Sequence, residues 1–355
     1  MPLTSIIMES GDERNTWMGD YFALIGDGVL HSDNGDTRCK VAFHMTSHGK
    51  HNDGSRMLCQ YLETVVDREL KKWLPDDATD EEKFRVSLFP AVAPLYAELG
   101  KSFLHISTYN ELQWSLVDIN NRTGLETLGE IREHAFHNLE KARVITAGIV
   151  LDGVAFLEEY GIPPHQYTDE QKMRMKQDLA TIHQRLGQIQ AINGFLAPAI
   201  EEYFTALNLN IETCGGEFHE LVAQSHHCLA CVYECYAEHL LSSKEVVRDR
   251  RVARFGGYGG QMGDDIPLSN YRKSAEHYLA SGVSYAGHLA IICQRKPEEI
   301  VTVNKLDAIY VNISKIETPY SETDRKHFEY LKAALYGAKA RLDKIEKRIE
   351  TIKTK

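Results

Sequence analysis

The sequence lacks any apolar run approaching the ~20 residues that a membrane-spanning helix requires, so no span is expected. Its first residues, MPLTSIIMESGDERN, have neither a basic start nor a long apolar stretch, and a cleaved secretory signal is not expected either. Cationic residues are outnumbered: 40 Lys and Arg stand against 51 Asp and Glu, a net charge of −11. That balance excludes a surface that coats nucleic acid, because phosphate binding needs clustered Lys and Arg. Cysteine is sparse, seven in 355 residues. An odd number without a signal reads as reduced intracellular thiols rather than a disulfide framework. The expected location is therefore the cytoplasm, or export by a dedicated machine that cleaves no signal peptide. There is no internal repeat.

What is present is the composition of a globular chain, 43% hydrophobic and 26% charged, long enough for one large core or two ordinary ones. The run GDYFALIGDGVLHSD, then Asn34-Gly35, then DTRCKVAFHMTS predicts a β-hairpin, since both central residues of such a turn need positive φ. From Gly54 the period changes to that of a helix, carried by Met57, Leu58, Tyr61, Leu62, Val65, Val66 and Leu70. A second helix is expected from Thr79, with Glu82 three residues on as in a capping box, and with Pro90 and Pro94 bending or breaking it. SFLHISTYNELQWSLVDINN, residues 102–121, fits a strand or a buried helical turn. Beyond Thr123 the helical period dominates to a charged C-terminal helix, HFEYLKAALYGAKARLDKIEKRIETIK. The expected fold is mainly α, a helical bundle body with a small N-terminal β-hairpin. Residues 1–121 form the part carrying the candidate site and 122–355 a helical domain.

Histidines concentrate in CKVAFHMTSHGKHNDGSR, residues 39–56. His48 lies just past the expected strand end, Gly49 permits a sharp turn, and Arg56 opens the next helix. A histidine both fixed and exposed is what acid–base catalysis needs, and Arg56 with helical first-turn N–H groups suits an anion. His48 is the expected catalytic residue, with His51 beside it. His44, His48, His51 and Asp53 also offer metal-ligating atoms, but at no strict metal-motif spacing, so no metal and no cofactor are expected. A plain solvated loop would show the same residues.

Two tripeptides, His44-Met45-Thr46 and His105-Ile106-Ser107, each follow apolar residues. They resemble the paired H-x-[ST] motifs of the two-histidine phosphoesterases. That resemblance implies His44 and His105 as base and acid, with the Thr46 and Ser107 hydroxyls on the phosphate. The longer stretch TSHGKHNDGSRMLCQYLETVV, with ATDEEKFRVSLFPAVAPLYAELGKSF after it, is similar to the phosphodiesterase domains of SidE-type bacterial effectors over about residues 38–111. Those domains are helical and related to the HD hydrolases. The resemblance implies His48 as nucleophile or base and Glu111 as the carboxylate. The chain departs from the HD pattern at Ala97-Glu98, where a His-Asp pair would stand.

HHCLACVYECYAEH aligns Cys228, Cys231, Cys235 and His239 on one helical face. Four ligands along one straight helix span ~16 Å, too far for one ion, so a buried, metal-free stripe is expected. LNLNIETCGGE suggests a strand ending at Cys214, and Cys214 with His48 resembles the strand-end pair of caspase-like cysteine peptidases. The combined expectation is a phosphodiesterase or related phosphoester hydrolase run by His48, His51, His105 and Glu111. Arg56, His44, Thr46 and Ser107 would bind a phosphate-bearing substrate, on a protein or a nucleotide. The opposing expectations are a non-enzymatic helical interaction protein, whose C-terminal helix docks a protein partner, and the cysteine peptidase.

Overall fold

The computed structural model describes residues 46, 54–55, 57–62, 79, 92–113, 128–159, 168–254, 265–301, 306–313, 315–316 and 322–354. The chain forms two compact units, Met1–Ile189 and Gln190–Lys355. The mainly α expectation holds, and no strand occurs among the described residues. The expected hairpin lies outside them except at Thr46, which is helical and buried rather than extended.

In the first unit, residues 54–55 and 57–62 are helical, as the period from Gly54 predicts, and Leu58, Tyr61 and Leu62 face inward. Helix α1 is Ala93–Gln113 and α2 is Leu128–Glu159. Pro94 falls in the first turn of α1, where its missing N–H costs no hydrogen bond. The ambiguous stretch from 102 is thus helical as far as Gln113. Helices α1 and α2 pack together through Leu99, Phe103, Ile131 and Leu139. Gly100 sets their approach: a Cβ there would stand 2.5 Å from Leu139 Cγ. Helix α3, Asp169–Ile192, opens with a capping box. The Gln171 N–H donates to Thr168 Oγ1 at 3.2 Å, and the Thr168 N–H donates back to Gln171 Oε1 at 2.8 Å.

The second unit holds α4 (Leu196–Thr213), α5 (Glu220–Arg254), α6 (Asp265–Ile292), α7 (Pro297–Ile300), α8 (Leu306–Ile313) and α9 (Glu322–Lys353). Helix α6 is the axis, packed against α5, α9, α7 and α8, while α4 lies on α5. Small residues line the α5–α6 seam, and two buried serines stitch it. Ser274 Oγ donates to the Ala230 carbonyl and Ser281 Oγ to the Ala223 carbonyl, both at 2.8 Å. Phe328, Leu331, Leu335, Leu342 and Ile345 form the buried stripe of α9. The C-terminal helix therefore spends its apolar face on its own unit.

The strand expected before Cys214 is absent, because residues 205–213 belong to α4. Tyr203, Ala206, Leu207 and Asn210 are buried at helical spacing. Cys214-Gly215-Gly216 is the helix stop. The Gly216 N–H donates to the Ile211 carbonyl at 3.1 Å and the Gly215 N–H to the Glu212 carbonyl at 3.4 Å, a Schellman motif with Gly215 at φ +71°. The same motif ends α3 at Gly194.

Candidate functional site

Of the residues the sequence singles out, His44, His48, His51 and Arg56 lie outside the described residues, and so does the side chain of Glu111. His105 and Ser107 share α1. Two residues apart on a helix, they point ~200° from each other, so the strand geometry of an H-x-[ST] motif is not present there. The Ser107 hydroxyl is fully buried and donates to the Leu104 carbonyl at 2.9 Å. Thr46 is buried as well. Cys228 and Cys231 are buried as expected, Cys235 is half-buried and His239 is exposed. Burial pushes the Cys231 thiol up to about 12, away from the reactive thiolate. Cys214 is also pushed up by burial, which does not suit a nucleophile.

The second unit instead gathers ionisable groups along α5, α6 and α9. Near the middle of α5, Glu234 accepts from Tyr278 Oη at 3.1 Å and from Lys344 Nζ at 2.7 Å, with Arg341 3.8 Å away. This network ties the three helices together around a carboxylate and fixes their rotation and register.

At the N-terminal end of α5, histidines gather around a carboxylate. Glu220 is the first residue of α5, His288 lies on α6 a turn before its end, and His327 is on the second turn of α9. One donor atom from each of the three lies within 4.8 Å of the other two. His327 Nε2 is 3.0 Å from Glu220 Oε2. The other carboxylate oxygen, Oε1, accepts from Gln224 Nε2 at 2.8 Å, which holds the carboxylate plane. The His219 ring stands 4.9 Å from the His288 ring, and His219 Nδ1 accepts the Leu221 N–H at 3.2 Å.

His288 Nδ1 is sealed from solvent and has no hydrogen-bond partner. The His288 side chain is lowered to about 4 by burial, then by His219 and His327, with Glu220 and the Phe218 carbonyl opposing, so its ring is neutral at pH 7. The cluster still opens to solvent, since the His327 side chain is 40% exposed and that of Glu220 16%. Glycine makes this possible. A Cβ on Gly287 would run into the Phe218 ring, so only glycine lets the segment before α5 lie flat on α6 beside His288.

A second pair lies nearly two turns along α5. His226 Nδ1 and His277 Nδ1 are 3.0 Å apart, one donating and one accepting. Tyr233 stacks on His277 at an interplanar angle of 6°, and Phe204 meets it edge-on. Burial lowers both histidines to about 4. Their Nδ1 atoms are committed to each other, so this pair reads as packing.

Among the described residues, only the Glu220–His288–His327 group combines a carboxylate, two imidazoles and access from solvent. Sequence spacing does not reveal it, because its members come from three separate helices. The one local signal is His288 itself, a histidine among apolar residues in YAGHLAII. Compared with protein-family models and with curated proteins, the chain matches none of them.

Proposed function

We propose that the chain is a hydrolase whose water-activating centre is the Glu220–His288–His327 cluster. The observation that supports this reading is the convergence of one carboxylate oxygen and two imidazole nitrogens, from three helices, on a space under 5 Å across. A carboxylate with two imidazoles beside it is a set of groups suited to holding and deprotonating a water. Gln224 orients the carboxylate from behind, and the Glu234 network keeps α5, α6 and α9 in register. Phosphoesters are the substrate class to test first, on the strength of the sequence resemblance over residues 38–111.

The test is a screen of purified protein against phosphodiesters, phosphomonoesters and nucleotide-linked substrates, followed by substitution. Glu220→Gln and His327→Ala each lower turnover ~10²-fold or more, the scale of removing an acid–base or water-orienting group. Loss in His48→Ala with full activity in the other two moves the centre to the histidine-rich stretch at 39–56 and refutes this reading.

A further inference from the structure

We infer that Glu220, His288 and His327 form a binding site for one first-row divalent cation, of the zinc class. The inference concerns the same side chains as the hydrolase reading, and the site can be loaded whether or not the chain hydrolyses anything.

Donor chemistry selects the ion. Two imidazoles and one carboxylate favour zinc and its neighbours over calcium and magnesium, which take all-oxygen shells. Spacing fits as well. Donor atoms on one tetrahedral zinc stand ~3.3 Å apart, given bonds of ~2.0–2.1 Å. His327 Nε2 and Glu220 Oε2 are already 3.0 Å apart, and the His288 nitrogen lies within 4.8 Å of both. Closing the set takes a shift of the His288 nitrogen by at most ~1.5 Å.

The protein around the cluster also behaves as a metal site's surroundings do. Gln224 occupies Oε1 of Glu220 and leaves Oε2 toward His327, the division of labour seen in outer-shell support of a ligating carboxylate. Three protein ligands leave a tetrahedral ion one position for water or substrate, the arrangement of catalytic rather than structural sites. The His219 ring lies 4.9 Å from that of His288. With its Nδ1 accepting from Leu221, its neutral form carries the proton on Nε2.

The test uses the full chain, stripped with chelator and titrated with zinc chloride and with cobalt chloride. One equivalent binds, and cobalt gives the visible bands of a four-coordinate site. Glu220→Gln, which keeps the side chain's shape, and His327→Ala, at a part-exposed position, each weaken zinc binding more than ~100-fold. His277→Gln, in the neighbouring pair, leaves it unchanged. Absence of stoichiometric binding, or binding that survives both ligand substitutions in protein with a wild-type circular dichroism spectrum, overturns the site. Zinc bound here without any hydrolysis refutes the hydrolase reading alone. Hydrolysis lost in Glu220→Gln yet indifferent to chelator refutes the cation alone.

Discussion

His327 Nε2 lies 3.0 Å from Glu220 Oε2, although 107 residues separate them, and His288 closes the group from a third helix. The contact depends on how α5, α6 and α9 are seated on one another, so the cluster reports on packing at some distance from itself.

Gly287 is the first place to perturb that seating. A methyl group there meets the Phe218 side chain from Cδ1 back to Cβ. Gly287→Ala is expected to cost ~1–3 kcal/mol, the range for overpacking a tight contact, and to weaken cation binding as Glu220 shifts. Urea unfolding gives the first quantity and calorimetric zinc titration the second. An unchanged variant in both would mean that Phe218 can move aside freely.

Helix α6 ends with a left-handed residue that is not glycine. Gln294 has φ +55°, its N–H donates to the Ile291 carbonyl at 2.9 Å, and the Arg295 N–H reaches the Ala290 carbonyl at 2.8 Å. This is the Schellman stop that Gly194 and Gly215 make elsewhere. Gln294→Gly should therefore stabilise the protein by about 1 kcal/mol, the strain of an L-residue in that conformation. The urea midpoint checks it.

Acid should destabilise the second unit. His226, His227 and His277 are each lowered to about 4, mainly by burial, from an ordinary 6.5. The folded state thus binds fewer protons than the unfolded one between those values. The stability these groups provide is complete above about pH 6.5 and falls as pH drops toward 4. Unfolding free energies at pH 7 and pH 5 should show the decline, and His277→Gln should make it shallower. A flat profile in wild type would contradict the burial of these rings.

Thiol labelling should divide the cysteines. Cys228 and Cys231 are 5% exposed, and the Cys231 S–H is further engaged with Tyr278 Oη at 3.3 Å. In native protein both should resist alkylation, while Cys59, Cys214 and Cys293, which are part-exposed, react sooner. Mass spectrometry of partly labelled protein distinguishes the two groups.

Much of the helical body is legible in the sequence because its core positions are aliphatic at a 3.6-residue period, as in α2 and α9. The misreading of α4 has a specific cause. LNLNIET alternates apolar and polar residues with period two, the pattern of a strand. Asn210 is nonetheless a core residue, its amide donating to Ser225 Oγ at 2.9 Å inside the α4–α5 contact. A polar side chain in a helical core position is what made the strand pattern. In α1, His105-Ile106-Ser107 had the composition of a strand motif, but Ser107 turns inward and satisfies itself on the preceding turn. The Glu220 cluster could not be read at all. Its residues have no fixed spacing in the chain, and only the crossing of α5, α6 and α9 puts them together. The histidine-rich stretch at 39–56 stands out in the sequence because its histidines are close along the chain, which is a different property from convergence in space.

Zinc K-edge absorption of the stoichiometric zinc complex tests whether one cation sits on Glu220, His288 and His327. The account predicts a shell of nitrogen and oxygen at ~2.0–2.1 Å with outer scattering from two imidazoles, reduced to one imidazole in His327→Ala. A sulfur shell at ~2.3 Å, which would place the ion on the cysteines of α5, or a spectrum unchanged by His327→Ala, would contradict it.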